Sequence, residues 1–306
     1  MPASPTEGSV PARAPWVGAV YAVLAYASWG IFPIYWKLFG TAPTLEVISH
    51  RIVWSLLFLA LLAWWRKDGP ELRSVLRSPK RLVFLFGTVS LLSANWALFI
   101  YGVNSNQVVE SSMGYFINPL VNVLLGFFVL KERLSRAQVV ACLLAACGVI
   151  WFGWHLGKIP WIALGLAATF ALYGLLRKIV AVTPIVGLLV ETALMLPLAG
   201  AAIWWLSAHH TTQFTNSPHL TLIFIGAGIV TSLPLIWFNN AAKLLPLSTL
   251  GFFQYLAPTL QLLLGVALYH EPFSLREAIA FLLIWSAIAI YLKSSFAPKT
   301  TVPLAD

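Results

Sequence analysis

The chain has 306 residues, of which 59% are hydrophobic and 9% are charged. Because ordinary soluble domains carry roughly 25% charged residues, this composition excludes a water-soluble globular protein, and its apolar content excludes a disordered chain. The net charge is +9. Much of it comes from one short stretch between two apolar segments, which favours the lipid bilayer over nucleic acid as the partner. The basic residues of this stretch are Arg66, Lys67, Arg73, Arg77, Lys80 and Arg81.

Taken in chain order, ten apolar stretches are each long enough to cross roughly 30 Å of hydrocarbon as an α-helix. The sequence therefore predicts an all-α polytopic membrane protein with ten transmembrane helices. The predicted spans are residues 16–36, 44–65, 82–103, 111–130, 136–154, 160–176, 184–206, 220–242, 246–269 and 277–291.

Lysine and arginine are distributed unevenly between the two sides of the predicted bundle. If the N-terminus is cytoplasmic, fifteen fall on that side and four on the other, so the positive-inside rule predicts that both termini are cytoplasmic. Residues 1–15 are predicted to be a disordered tail and residues 294–306 a second tail, and cleavage after the first span is not expected. The two cysteines, Cys142 and Cys147, lie on different faces of one span, so neither a disulfide nor a metal site is predicted.

An internal repeat relates the two halves of the chain. An offset of 139 residues aligns Pro119 with Pro258 and Ser93 with Ser232 without a gap. A unit of five spans crosses the membrane an odd number of times, so the second copy must enter from the opposite side. Such inverted repeats are the architecture of many secondary transporters. The predicted units are a first five-helix repeat over residues 16–154 and an inverted one over residues 155–293.

A polar stripe follows one face of the fourth span and recurs in the ninth. Such a stripe must face protein or water rather than lipid. Two symmetric stripes favour one central cavity, and the alternative is that they bond neighbouring helices. The stripes contain Ser111, Tyr115, Asn118, Asn122, Gln254 and Gln261, and the substrate contacts predicted here are Tyr115, Asn118, Gln254 and the adjacent Tyr255.

Two prolines interrupt the same helices. Pro119 and Pro258 each remove one backbone hydrogen bond, so both are predicted bending points of a transport cycle. A static bend that suits the packing is the alternative.

Three ionisable residues lie well inside predicted spans: His50 and Arg51 in the second and Glu191 in the seventh. Ionisable groups at membrane depth are functional candidates by default. His50 or Glu191 is a candidate for binding a coupling proton, and all three are predicted to gate or couple transport. Structural pairing or snorkelling is the alternative for Arg51.

Four aromatic residues lie towards the middle of spans rather than at their ends, where most tryptophans form interface belts. With neighbouring asparagines they are predicted to wall a substrate site for a flat or cationic molecule, and plain packing is the alternative. These residues are Trp29, Trp96, Tyr173 and Trp237, with Asn95 and Asn239 beside them.

Motifs of catalysis are absent from the sequence: it has no phosphate-binding glycine loop, no His-Glu-x-x-His and no Gly-x-Ser-x-Gly. Neither an enzyme nor any cofactor is predicted.

Four long collinear motifs resemble the RarD branch of the EamA family, in the drug/metabolite transporter superfamily. They are Ala27-Ser-Trp-Gly-Ile-Phe-Pro33, Asn95-Trp-Ala-Leu-Phe-Ile100, Gly114-Tyr-Phe-Ile-Asn-Pro-Leu120 and Ser248-Thr-Leu-Gly-Phe-Phe-Gln-Tyr255. The resemblance implies ten helices in two inverted halves, an inner-membrane permease, a family label tied to chloramphenicol sensitivity or resistance, and alternating access around a central cavity.

These observations together predict a monomeric secondary transporter that exports small amphipathic or aromatic metabolites or drugs. The expected partners are a small-molecule substrate, the bilayer and a coupling proton. Two alternatives stay open, namely an intramembrane enzyme acting on a lipid, and a channel or scaffold subunit.

Overall fold

The structure, a computed structural model, describes residues 14–105, 107–154, 159–268 and 275–296. Within these residues the chain forms twelve helices and no strand. The predicted tails lie largely outside the described residues, as does the loop before the last helix. The helices are α1 (Ala14–Lys37), α2 (Thr44–Trp65), α3 (Gly69–Leu76), α4 (Pro79–Asn104), α5 (Val108–Phe128), α6 (Arg136–Gly153), α7 (Trp161–Ile179), α8 (Pro184–Ala208), α9 (Pro218–Leu244), α10 (Leu247–Gln254), α11 (Leu256–Ala267) and α12 (Leu275–Phe296).

The helices match the predicted spans. Among the described residues, α1, α2, α4, α7, α8 and α9 are each long and apolar enough to cross a membrane, and α5, α6 and α12 contain shorter apolar segments. Large side chains such as Trp64, Trp154 and Trp204 are more than 70% exposed, which suits a surface covered by lipid. The predicted all-α polytopic membrane fold is confirmed.

The ninth span, predicted as one helix, is divided into α10 and α11 at Tyr255. Pro258 has no N–H group to donate to the carbonyl of Gln254, so the helical hydrogen-bond ladder is interrupted one turn before the proline. Its counterpart Pro119 lies inside α5, which continues as one helix. The two equivalent prolines therefore have different local consequences.

Helix boundaries follow the internal repeat. Helix α5 begins at Val108 and ends at Phe128, and the pair α10–α11 begins at Leu247 and ends at Ala267, each 139 residues later. Packing follows it too, since α1 packs on α9 as α7 packs on α4, and α5 packs on α7 as α11 packs on α1. These equivalences are consistent with the predicted inverted repeat.

Helix α3 was not predicted. It lies in the basic stretch after α2, and its Val75 is fully buried in an apolar cluster with Leu85 of α4 and Val186 of α8. Eight residues are too few for a clear 3.6-residue hydrophobic period, which explains why the sequence pattern did not reveal it.

Glu132 joins the two halves by capping α10. Its Oε1 accepts a hydrogen bond from the backbone N–H of Leu247 (2.6 Å), and its Oε2 accepts from the N–H (3.1 Å) and hydroxyl (2.6 Å) of Ser248. A carboxylate suits this position because the first N–H groups of a helix lack intrahelical partners and carry partial positive charge.

We expect Glu132→Ala to lower the free energy of unfolding by about 1–3 kcal/mol, because it leaves these donors unpaired. Reversible unfolding in detergent measures the change. The matched control is Asp68→Ala, which removes a pair with the half-exposed Arg66 (N···O 3.3 Å) and is expected to cost about 1 kcal/mol or less. Equal effects of the two substitutions would contradict the capping role.

Candidate functional site

A cavity lies between α2, α4, α8 and α9 in the interior of the bundle. It contains about 490 Å³ of space between atoms, including the part that is open to the outside. Its lining residues are Arg51, Ile52, Ser55, Leu59, Val89, Leu92, Ser93, Trp96, Leu188, Glu191, Thr192, Met195, Thr231, Ser232 and Leu235.

Helices α4 and α9 contribute equivalent positions to this cavity. Ser93 and Ser232, which the internal repeat aligns, both line it, and so do Leu92 and its counterpart Thr231. Ser93 and Ser232 are each the fifteenth residue of their helices. The cavity therefore lies where the two predicted repeats meet, at mid-length of both helices.

Several polar atoms around the cavity are buried without a hydrogen-bond partner among the described residues. They are Nε of Arg51, Oε2 of Glu191, Oγ1 of Thr231 and Oγ of Ser232. Leaving a buried polar group unpaired costs about 1–3 kcal/mol, and more for a charged one. Water or a ligand that reaches these atoms would remove that cost.

Arg51 lies seven residues after the first residue of α2, roughly 10 Å along the helix axis. Its guanidinium carbon is 4.0 Å from the centroid of the Trp96 ring. This is close enough for a cation–π contact between two cavity-lining residues.

Glu191, which also lines the cavity, belongs to a buried ionic network. Its Oε1 lies 3.4 Å from Nη1 of Arg177 and accepts a 2.6 Å hydrogen bond from the hydroxyl of Thr88. Arg177 is completely buried, and its Nε donates to Oδ1 of Asn239 at 2.8 Å. Gly187 leaves the guanidinium its space, since a Cβ there would overlap it.

The sequence analysis did not predict this ion pair. The signal that could have found it is the short connection between α7 and α8. That connection places the last turn of α7 beside the first turns of α8, which carries Glu191.

His50, the remaining predicted ionisable residue, faces away from the cavity lining. Its ring stacks on Phe214 with centroids 4.2 Å apart, and it meets the edge of Phe224 at 5.0 Å. It is mostly buried in an aromatic cluster at the start of α2 and α9.

Two predicted polar contacts, Asn95 on α4 and Asn118 on α5, bond to α7 in this structure. Asn95 donates to the carbonyl of Leu166 (2.8 Å) and to the hydroxyl of Thr169 (2.9 Å), and Asn118 donates to the carbonyl of Ala167 (2.6 Å). Such interhelical hydrogen bonds stabilise membrane bundles by roughly 0.6–2 kcal/mol each.

The stripe residues around the two prolines lie at other helix contacts. The hydroxyl of Tyr255 donates to the carbonyl of Phe116 (3.1 Å), whereas Gln254 is buried with its Oε1 unpaired among the described residues. Tyr115 is 40% exposed. The carbonyl of Pro119 approaches Gly251 so closely that a Cβ at that glycine would lie 2.9 Å from it.

The predicted aromatic residues form or adjoin an apolar cluster between α1, α7 and α9, and Trp96 also lines the cavity. Trp29 packs against Phe238 at 5.7 Å and Phe170 at 5.9 Å, and Tyr173 stacks on Phe238 at 6.0 Å. Trp237 packs against the same cluster. Of the predicted site residues, Arg51, Trp96 and Glu191 are thus the ones brought together around the cavity.

No group of three or more His, Cys, Asp or Glu side chains that could hold a metal ion occurs among the described residues.

Comparison with known proteins finds relatives that are named as RarD proteins or as transporters. The sequence profile of the EamA-like transporter family matches residues 16–154. Protein RarD of Escherichia coli is 43% identical over 90% of this chain and 93% of its own length. The chloramphenicol-sensitive protein RarD of Pseudomonas aeruginosa is 28% identical over 89% and 92%.

An uncharacterized transporter of Vibrio cholerae is 44% identical over 90% of this chain and 91% of its own length. A crystal structure of a protein with 21% identity superposes with a TM-score of 0.67, covering 91% of this chain and 96% of the other, and it supports the fold alone. Identity above 40% over nine-tenths of the chain decides the family: this protein is a multi-pass membrane protein that belongs to the EamA-like transporter family, among relatives named RarD.

Proposed function

We propose that this protein is a secondary-active transporter that exports small amphipathic or aromatic molecules by alternating access. The observation that carries the proposal is the cavity at the junction of the two repeats, lined by equivalent residues of α4 and α9 and by two charged side chains. Substrate sites of inverted-repeat transporters lie at this kind of position. In this proposal the protein works as a monomer in the bacterial inner membrane with both termini cytoplasmic.

Two contacts are suited to close the cavity in turn. Helix α2 meets α9 through the cluster that contains Val47 and Phe224. Helix α8 meets α4 through the cluster that contains Val186 and Leu85. The first contact lies near the beginning of α2 and the second near the beginning of α8. In an inverted repeat these beginnings belong to opposite membrane faces, so separating one contact while keeping the other would expose the cavity to one side at a time.

Glu191 is the proposed coupling group. Its Oε1 is held by Arg177 and Thr88, while Oε2 is unpaired among the described residues beside the cavity. A carboxylate with one free oxygen at the substrate site can exchange a proton when the cavity opens to either side. Under this proposal no cofactor takes part.

The test uses the purified protein in vesicles. Amino acids, aromatic acids and amphenicol drugs are first screened for thermal stabilisation, because a bound ligand stabilises by mass action. A compound that stabilises the protein is then tested in counterflow, where preloaded unlabelled compound should drive transient accumulation of the labelled one. Tracer that only equilibrates indicates a channel, and chemical conversion of a lipid indicates an enzyme.

We expect Ser93→Leu to abolish counterflow by filling the cavity. Ser90→Leu, on the exposed side of the same helix, is the matched control and is expected to leave it unchanged. Full counterflow in Ser93→Leu would place the substrate path elsewhere.

Glu191→Gln should keep counterflow, because counterflow needs no net proton movement. The same variant should lose accumulation of substrate driven by a proton gradient.

A further inference from the structure

Arg51 is a cation inside the apolar helix α2, and it has no anionic partner among the described residues. Its guanidinium forms no hydrogen bond and no ion pair with any described residue, and its central carbon lies 4.0 Å from the centroid of the Trp96 ring. The buried Nε confirms that at least part of the group is withdrawn from solvent. Withdrawing such a charge from water costs several kcal/mol unless a partner compensates it.

The other charges near the cavity do not provide that partner. Glu191 is the acidic residue in the lining, and its charge is already matched by Arg177 at 3.4 Å. The cavity and its immediate partners therefore carry one uncompensated positive charge. A ligand with one negative charge restores neutrality, whereas a cationic ligand would add to the excess.

The Arg51 guanidinium and the apolar side chains around it also suit the shape of an organic acid. A guanidinium has its donors in one plane and pairs with a carboxylate through two parallel hydrogen bonds. Trp96 contacts the guanidinium without accepting any of its N–H groups in a conventional hydrogen bond, so these donors are left for a ligand. Leu59, Leu92 and Leu188 supply an apolar wall, against which a hydrocarbon or aromatic body would pack.

From these observations we infer that the cavity is a site for an organic anion, with Arg51 binding the carboxylate of the transported molecule. The inference rests on the proposed transport function and specifies its substrate class. It assigns Arg51 to substrate binding rather than to gating. The hydroxyl groups of Ser232 and Thr231, which are unpaired in the described structure, are further donors for the same anion.

The test compares phenylacetate, phenylacetamide and phenethylamine, which share one body and differ in charge. Thermal stabilisation of the full-length purified protein gives the affinity of each probe. We expect phenylacetate to bind about tenfold or more tightly than the other two, and Arg51→Met to lose that preference. Arg51→Lys should retain part of it, because a lysine keeps the charge without the planar pair of donors.

Two controls separate binding from folding. Arg66→Met removes a half-exposed arginine outside the cavity and should leave all three affinities unchanged. Without ligand, Arg51→Met should keep or raise the melting temperature, because it removes an uncompensated charge from the interior. A large loss of stability in Arg51→Met would assign Arg51 a structural role and overturn the inference.

An anionic lipid headgroup is the other source of the same chemistry. Phosphatidylglycerol and phosphatidylcholine are therefore added in separate arms. If phosphatidylglycerol stabilises the protein through Arg51 and phenylacetate does not, the site holds lipid and the inference fails. Equal binding of the amide, tighter binding of the amine, or no stabilisation by phenylacetate at millimolar concentration also overturns it.

The outcomes distinguish this inference from the transport proposal. Counterflow of a neutral or cationic compound that phenylacetate does not inhibit would keep the transporter and remove the anion site. Arg51-dependent binding of phenylacetate without counterflow would keep the anion site and remove transport.

Discussion

Replacing Arg177 by methionine is expected to lower the free energy of unfolding by about 3–5 kcal/mol, because it leaves the carboxylate of Glu191 buried without its counter-ion. Arg177 is completely buried, and its guanidinium bonds both Glu191 and Asn239. Methionine fills similar space but offers no donor. Denaturant unfolding in detergent, followed by the tryptophan signal, measures the change.

The double variant Arg177→Met/Glu191→Met provides the decisive comparison. It removes both charges, so no uncompensated ion is left in the interior, and buried pairs replaced by apolar residues are often neutral or even stabilising. We therefore expect the double variant to be more stable than Arg177→Met alone. Arg66→Met, which breaks an exposed pair, should change stability by about 1 kcal/mol or less. Additive losses in the double variant would contradict an energetic coupling between the two residues.

The transmembrane architecture could be predicted because lipid imposes a simple rule on the sequence. Each span must be an apolar helix of nearly fixed length, and loops hold the charges. The second predicted span, residues 44–65, coincides with α2 (Thr44–Trp65), which begins after Pro43 and ends where the basic stretch starts. The repeat offset then matched the boundaries of α5 with those of α10 and α11.

The local departures have physical causes that a span pattern does not contain. Helix α3 is short and half-exposed, so it has neither the length nor the apolarity of a span. The break at Tyr255 depends on how a proline's missing hydrogen bond is accommodated, and Pro119, its equivalent, leaves α5 continuous. The same residue type therefore predicts a weak point in a helix but not whether the helix breaks.

The cavity could be predicted only in part. Arg51 and Glu191 were conspicuous because charge within an apolar span is costly. Serine and threonine give no such signal, since their hydroxyls can bond to the preceding turn of their own helix, as Ser93 does to the carbonyl of Val89 at 2.6 Å. The alignment of Ser93 with Ser232 was visible in the repeat, but which face each presents depends on packing.

The polar stripes illustrate why an amide is ambiguous in a membrane helix. The side chain of Asn118 satisfies the carbonyl of Ala167 on α7, and the same amide would serve equally well towards a substrate. Spacing along the helix is identical in both cases. Its role as a substrate contact stays a prediction, because only a neighbouring helix or a bound ligand can distinguish the two.

Substituting Gly228 by alanine is expected to destabilise the protein by about 1–3 kcal/mol through overpacking between α9 and α2. A Cβ at this glycine would overlap the backbone of Trp54 and Ser55, and backbone atoms cannot move aside as a flexible side chain can. The substitution must therefore push the helices apart and lengthen the hydrogen bond from Ser55 to the Gly228 carbonyl, which is 3.1 Å.

The matched control is Gly200→Ala in α8, where a Cβ would meet nothing within 4 Å and where alanine is favoured over glycine by up to about 1 kcal/mol in a helix. Melting temperature and counterflow are measured for both variants.

The residue equivalent to Gly228 in the first repeat is Val89, which lines the cavity. The valine side chain takes the space that the glycine leaves free, so the close backbone contact made at Gly228 is not repeated at Val89. If α2 and α9 must close the cavity for transport, Gly228→Ala should impair counterflow as well as stability. A loss of stability with normal counterflow would mean that the contact at Gly228 is structural, and that α4 and α8 carry out the closing step.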